Sequence, residues 1–135
     1  MAANIIALDT NVLIYLHDSS NFFKREISKN LLATNPCIAS QVISEYLNTA
    51  RRLLNLPKED LLLQTVGLFS ECTIVPVSIN TLLSASALIK KYKFQLFDAI
   101  IVASAIENHC KILYSEDMHD GLVVDKSLTI LNPFI

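Results

Sequence analysis

The sequence predicts an α/β fold on a mainly parallel sheet of about five strands. Short apolar runs that do not alternate with polar residues read as strands buried on both faces. Longer segments with helical spacing of apolar side chains separate them. The two kinds alternate along the chain, which calls for right-handed crossovers and helices on both sides of the sheet.

The first strand is Asn4–Leu8, and the polar Asp9, Thr10 and Asn11 can cap a helix from Val12 to about Leu16. Lys24–Ala33 sets Ile27, Leu31 and Leu32 among charged residues, as an amphipathic helix does. Pro36–Ala39 is the second apolar run. Ser40 supplies an N-cap for a helix to about Leu54 that turns Val42, Ile43, Tyr46, Leu47 and Leu53 toward the core. Pro57 ends it, and another helix covers Lys58–Phe69. Cys72–Val77 is β-rich and forms the third strand. A helix over Asn80–Lys91 follows, with Lys90 and Lys91 on its polar face. Leu96–His109 is apolar almost all round and should be the most buried helix. Lys111–Ser115 and Leu128–Leu131 complete the strands. With no repeat or linker, residues 1–135 are expected to form a single domain.

Composition narrows the function. Apolar residues make up 52% of the chain, with only two glycines and four prolines, which excludes a disordered or linker-rich protein. A net charge of −2 means that nucleic-acid binding would depend on local patches and not on a basic surface. Cys37, Cys72 and Cys110 form neither a CxxC pair nor a disulfide framework, so they read as buried small residues in a reducing cytoplasm. Asp9 interrupts the first apolar run, no basic segment precedes it, and no stretch approaches about 18 apolar residues. Neither a signal peptide nor a membrane span is expected.

Four acids fall where such a fold gathers ligands. Asp9 follows the first strand and Asp117 follows the fourth by two residues; Glu45 and Asp98 lie in the first turns of helices. Open α/β sheets bind ligands at the carboxyl ends of their strands. Carboxylates so assembled repel one another unless a cation intervenes, and hard divalent ions such as Mg²⁺ or Mn²⁺ take oxygen ligands. Each acid also has an ordinary reading. Asp9 and Asp98 can be helix caps, Glu45 an exposed helical residue, and Asp117 a turn residue before Gly121.

At these residues the sequence resembles the PIN-domain ribonucleases, and among them the VapC-type toxins of toxin–antitoxin pairs. The resembling stretches are "ALDTNVLIY", "SQVISEYLN", "FDAIIVASA" and "ILYSED", in that order, with the tail "LTILNPF". The resemblance implies a three-layer αβα sandwich and makes Asp9, Glu45, Asp98 and Asp117 a catalytic metal site for Mg²⁺ or Mn²⁺. It makes Asn11 and Ser115 hydrogen-bonding supports. It further implies a cytoplasmic endoribonuclease acting on RNA, a homodimer, and a cognate antitoxin. "SEDMHDG" leaves open whether Glu116 or Asp120 replaces or assists Asp117.

Other residues invite plainer readings. His17, His109 and His119 share no ligand spacing, and Arg51, Arg52, Lys90, Lys91 and Lys93 read as solvated faces. Arg52, seven residues after Glu45, is placed to share its helical face and reach a phosphate. Phe22, Phe23, Tyr46 and Leu47 read as core first. A dehalogenase-type phosphatase needs a second Asp where Asn11 stands, and a receiver domain needs adjacent acids near the first strand. Neither pattern is met. A catalytically silent PIN-like binding module and a PIN nuclease of RNA processing remain the alternatives.

Overall fold

A computed structural model describes residues 5–135, so Asn4, expected to open the first strand, lies outside the described residues. Among the described residues the sheet has six strands: β1 (Ile6–Leu8), β2 (Cys37–Ala39), β3 (Thr73–Val75), β4 (Ile112–Tyr114), β5 (Val123–Val124) and β6 (Leu128–Leu131). Their order is β3-β2-β1-β4-β6-β5, parallel throughout except for β5 against β6. The helices are α1 (Thr10–Ile14), α2 (Phe22–Leu32), α3 (Ser40–Leu54), α4 (Lys58–Phe69), α5 (Ile79–Tyr92) and α6 (Leu96–Glu107), with a 3₁₀ turn over Tyr15–His17 extending α1.

Chain order and strand order together place the helices. From β1 through β2 to β3 the chain steps toward one edge of the sheet, and from β3 it returns past β1 to β4. Right-handed crossovers running in opposite directions put their helices on opposite faces. Helices α1 to α4 therefore cover one face, where α1 packs on α3 and α3 on α4, while α5 and α6 pack together on the other. The strand order reverses between β1 and β4, and a cleft opens at such a reversal.

Burial follows the predicted pattern in the centre. Leu8, Ile38, Leu113 and Ile130 on the inner strands are essentially inaccessible, as is Tyr46 on α3. Residues Ala99–Ala105 of α6 are buried without interruption, so this is the most enclosed helix. Tyr46 meets His17 Nε2 through its hydroxyl at 2.5 Å, which satisfies that histidine and ties the 3₁₀ turn to α3. Burial lifts the Tyr46 hydroxyl to about 12, and burial followed by the charge of Arg25 lowers His17.

Several boundaries and burials differ from expectation, each for a local reason. The sixth strand, β5, is two residues long and joins β6 through Asp125 and Lys126, both at positive φ. Residues 125–127 lie between the paired Val124 and Leu128, and the Ser127 N–H closes the turn on the Val124 carbonyl at 3.0 Å without a glycine, so the usual sequence signal is missing. Ser40 does not cap α3. Its hydroxyl accepts from the Val77 N–H at 3.2 Å, tying α3 to the segment after β3, and Ala39 occupies the cap position. Helix α6 stops at Glu107 and not at His109, because Asn108 turns its side chain back to the Ser104 carbonyl and His109 takes a φ of 59°. Phe22 and Phe23, read as core, are 72% and 62% exposed at the start of α2, and Leu53 near the end of α3 is also exposed. β3 is an edge strand and only Val75 in it is buried; Cys72 beside it is half-buried, whereas Cys37 and Cys110 are fully buried.

Candidate active site

β1 and β4 run side by side with Leu8 opposite Tyr114, and the Asp9 N–H donates to the Tyr114 carbonyl at 3.0 Å. This pairing delivers the residues after both strands to one place. Asp9 caps α1, its Oδ1 accepting from the Thr10 N–H at 2.7 Å. Its Oδ2 accepts from the Ser115 hydroxyl at 2.8 Å and from Asn11 Nδ2 at 3.3 Å. One side chain thus caps α1 and also bonds to the residue after β4.

Asn11 is the hub. Its Nδ2 also donates to Asp117 Oδ2 at 3.1 Å, and its Oδ1 accepts from the Glu116 N–H at 3.1 Å. Ser115, fully buried, accepts at its Oγ from the N–H groups of Asp117 and Met118. The short turn after β4 is therefore shaped around that hydroxyl.

Glu45 reaches the same place from α3. Its Oε2 accepts from the Thr10 hydroxyl at 3.1 Å and its Oε1 from Gln41 Nε2 at 2.8 Å. Gln41 also donates to the Phe97 carbonyl on α6 at 3.3 Å, so it bridges helices from opposite faces of the sheet. Asp98 stands in the first turn of α6, half-buried. Asp9, Glu45, Asp98, Asp117 and Asn11 all line one cavity of about 450 Å³, which Thr10, Thr49, Asp18 and Glu116 also line.

Electrostatics at this cavity is unbalanced. Burial, opposed by the bonds from Ser115 and Thr10 and reinforced by the charges of Asp98 and Glu45, lifts the Asp9 carboxyl to about 6. Asp98 is also raised, by its burial first and then by Glu45 and Asp117. Burial comes first in both shifts, and the neighbouring acids add to it, as in sites that gather carboxylates. Among the described residues no three His, Cys, Asp or Glu side chains are grouped as they would be around an ion. The donors facing the cavity are nonetheless carboxylate, amide and hydroxyl oxygens, the set that suits a hard divalent ion retaining part of its water shell.

The two open acids after β4 separate clearly. Asp120 lies away from the cavity, its Oδ1 accepting from the Asn132 N–H at 2.7 Å. Glu116 lines the cavity but pairs with Lys24. Arg52 is exposed and does not line it; Thr49, four residues after Glu45, takes that side of α3. Sequence reasoning missed Thr10 and Gln41 as holders of Glu45. Gln41 carried a signal, since it stands one helical turn before Glu45.

The fold is therefore an α/β sheet with acids at its strand-order reversal, and comparison with known proteins refines that class. A family model described as the PIN domain matches residues 6–119, and the chain belongs to the PIN-domain family. Solved structures share its fold. A toxin–antitoxin complex from Klebsiella pneumoniae contains a chain 24% identical, with a TM-score of 0.71 over 95% of this chain and 97% of that one. The DNA-bound VapBC of Salmonella typhimurium gives 18% identity and a TM-score of 0.68, covering 97% and 99%. VapC20 of Mycobacterium tuberculosis, a sarcin–ricin-loop-cleaving toxin, gives 15% and 0.62, covering 80% and 86%. No curated protein sequence matches significantly.

Proposed function

We propose that this protein is a divalent-metal-dependent endoribonuclease, the toxin of a toxin–antitoxin pair acting in the cytoplasm. The observation that carries the reading is the meeting of Asp9, Glu45, Asp98 and Asp117 at one cavity from four separate segments. Asp9, Glu45, Asp98 and Asp117 would hold Mg²⁺ or Mn²⁺. Bound there, the ion would lower the pKa of an attacking water and neutralise the oxygens of the scissile phosphate.

The chain's own part is orientation. Ser115 and the Thr10 N–H fix the two oxygens of Asp9, and Thr10 and Gln41 fix those of Glu45. Asn11 keeps Asp117 in register with Asp9. Such positioning suits phosphoryl chemistry, which depends on placement and charge neutralisation more than on a covalent nucleophile.

Membership of the PIN-domain family supports the nuclease reading. A cognate antitoxin is the proposed partner, because structures of this fold include toxin–antitoxin assemblies. A homodimer is part of the same proposal. Among the described residues no helix is long and apolar enough to cross a membrane.

The test is cleavage of RNA by purified protein in Mn²⁺. Asp9→Asn and Asp98→Asn should each abolish cleavage and growth inhibition while the protein stays folded. Cleavage by the double variant at the wild-type rate would overturn the mechanism and leave a silent binding module.

A further inference from the structure

Glu116 lines the acid cavity, yet both its carboxylate oxygens are engaged. Oε1 accepts from the Tyr15 hydroxyl at 2.7 Å, and Oε2 accepts from the Lys24 ammonium. Lys24 Nζ also donates to the Tyr15 hydroxyl at 3.2 Å. It lies 4.8 Å from the centre of the Tyr15 ring and 5.2 Å from that of Phe134, and these two rings meet edge to face at 5.1 Å. Four segments thus converge on one ammonium group: the 3₁₀ turn, α2, the turn after β4 and the residues after β6.

We propose that Lys24 is a positioning residue of the acid site, which holds Glu116 out of the metal-ligand set. This rests on the metal-dependent reading above. Six acids line the cavity: Asp9, Asp18, Glu45, Asp98, Glu116 and Asp117. Among the salt bridges of the described residues, that of Lys24 with Glu116 is the only one to reach any of them. A free Glu116, next in sequence to Asp117, would be a competing oxygen donor at the edge of the site. The aromatic rings hold the ammonium in place, so the pair is better ordered than a surface ion pair on two flexible side chains.

The experiment titrates RNA-free protein with Mn²⁺ and measures the free ion by electron paramagnetic resonance. Glu116→Gln should leave the Mn²⁺ affinity within about twofold of wild type, since the group is not a ligand. Lys24→Met keeps an unbranched side chain at that position but releases Glu116. It should bind Mn²⁺ several-fold more tightly, roughly the effect of one added carboxylate, while kcat for RNA falls about tenfold. Lys24→Arg and the double variant Lys24→Met/Glu116→Gln should both return the affinity to near wild type. A merely structural Lys24 would not be rescued by removing Glu116.

Weakening of Mn²⁺ binding by about tenfold or more in Glu116→Gln would make Glu116 a ligand and overturn the proposal. Unchanged affinity in Lys24→Met would overturn it too. If Lys24→Met does not fold, Glu116→Gln decides alone. Asp9→Asn is the reference: if it binds Mn²⁺ as wild type does, the metal reading itself fails, and that result is separate from anything Glu116 shows.

Discussion

At the scale of single residues, Asp9 carries the greatest tension. It is 5% exposed, bonded on both oxygens, and lifted to about 6 by burial and by its acidic neighbours. Its ordinary value is 3.8, so the folded protein binds a proton here more tightly than the unfolded chain. The sign follows from linkage. Stability from this group is fully present below pH 3.8 and is lost as pH rises through about 6. A shift of about two pKa units corresponds to on the order of 3 kcal/mol. Asp9→Asn should therefore melt higher than wild type at pH 7 without metal, by an amount that vanishes toward pH 4. The same proton competes with a cation. Mn²⁺ binding should weaken by about tenfold between pH 7 and pH 5, a loss that titration at the two pH values would detect.

At the scale of elements, the site depends on two helices that lie on opposite faces of the sheet. Gln41 joins them by donating to Glu45 on its own helix and to the Phe97 carbonyl at the head of α6. Helix α5, which precedes α6, starts with a reciprocal cap between Ser78 and Thr81, and packs along α6. Helix α6 is therefore held by α5 along its length and by Gln41 at its first turn. Gln41→Ala should weaken Mn²⁺ binding by about tenfold, the usual effect of removing a group that orients a ligand. Its melting temperature should change little, because Gln41 is only partly buried. Isothermal titration and thermal melting on one preparation separate the two effects. A large loss of stability with unchanged metal affinity would make Gln41 a packing residue.

At the scale of the whole molecule, strand order sets where chemistry can occur. The reversal between β1 and β4 opens the cleft, and residues just after each of those strands line it. Binding of a cation to the folded state alone must raise stability by mass action. With Mn²⁺ at about a hundred times its Kd the gain should be about 2.7 kcal/mol, seen as a higher melting temperature. Asp98→Asn should show little of that rise. A wild-type protein that gains nothing at millimolar Mn²⁺ would point to a silent member of the family.

The sequence by itself determined the α/β class, the order of the elements, and the four segments bearing Asp9, Glu45, Asp98 and Asp117. Apolar periodicity and uninterrupted apolar runs are local properties, and a chain of strand, acid and helix carries them openly. Tertiary structure decided the rest. Only the Ser-x-Asp spacing favoured Asp117 over Asp120 and Glu116 in the sequence, and the placement of Asn132 and Lys24 separates them in the fold. Phe22 and Phe23 are apolar yet exposed, since the way α2 packs, and not side-chain hydropathy, selects its inward face. The strand β5 rests on a turn at Asp125 and Lys126 whose backbone conformation their side chains do not announce. Thr10 looked like a cap residue and meets Glu45 only because a segment 35 residues away comes within hydrogen-bonding distance, while Asn11, expected as a support, finds its partner Asp117 106 residues away. Bonds between residues so far apart in sequence are made by the fold, and no local pattern encodes them.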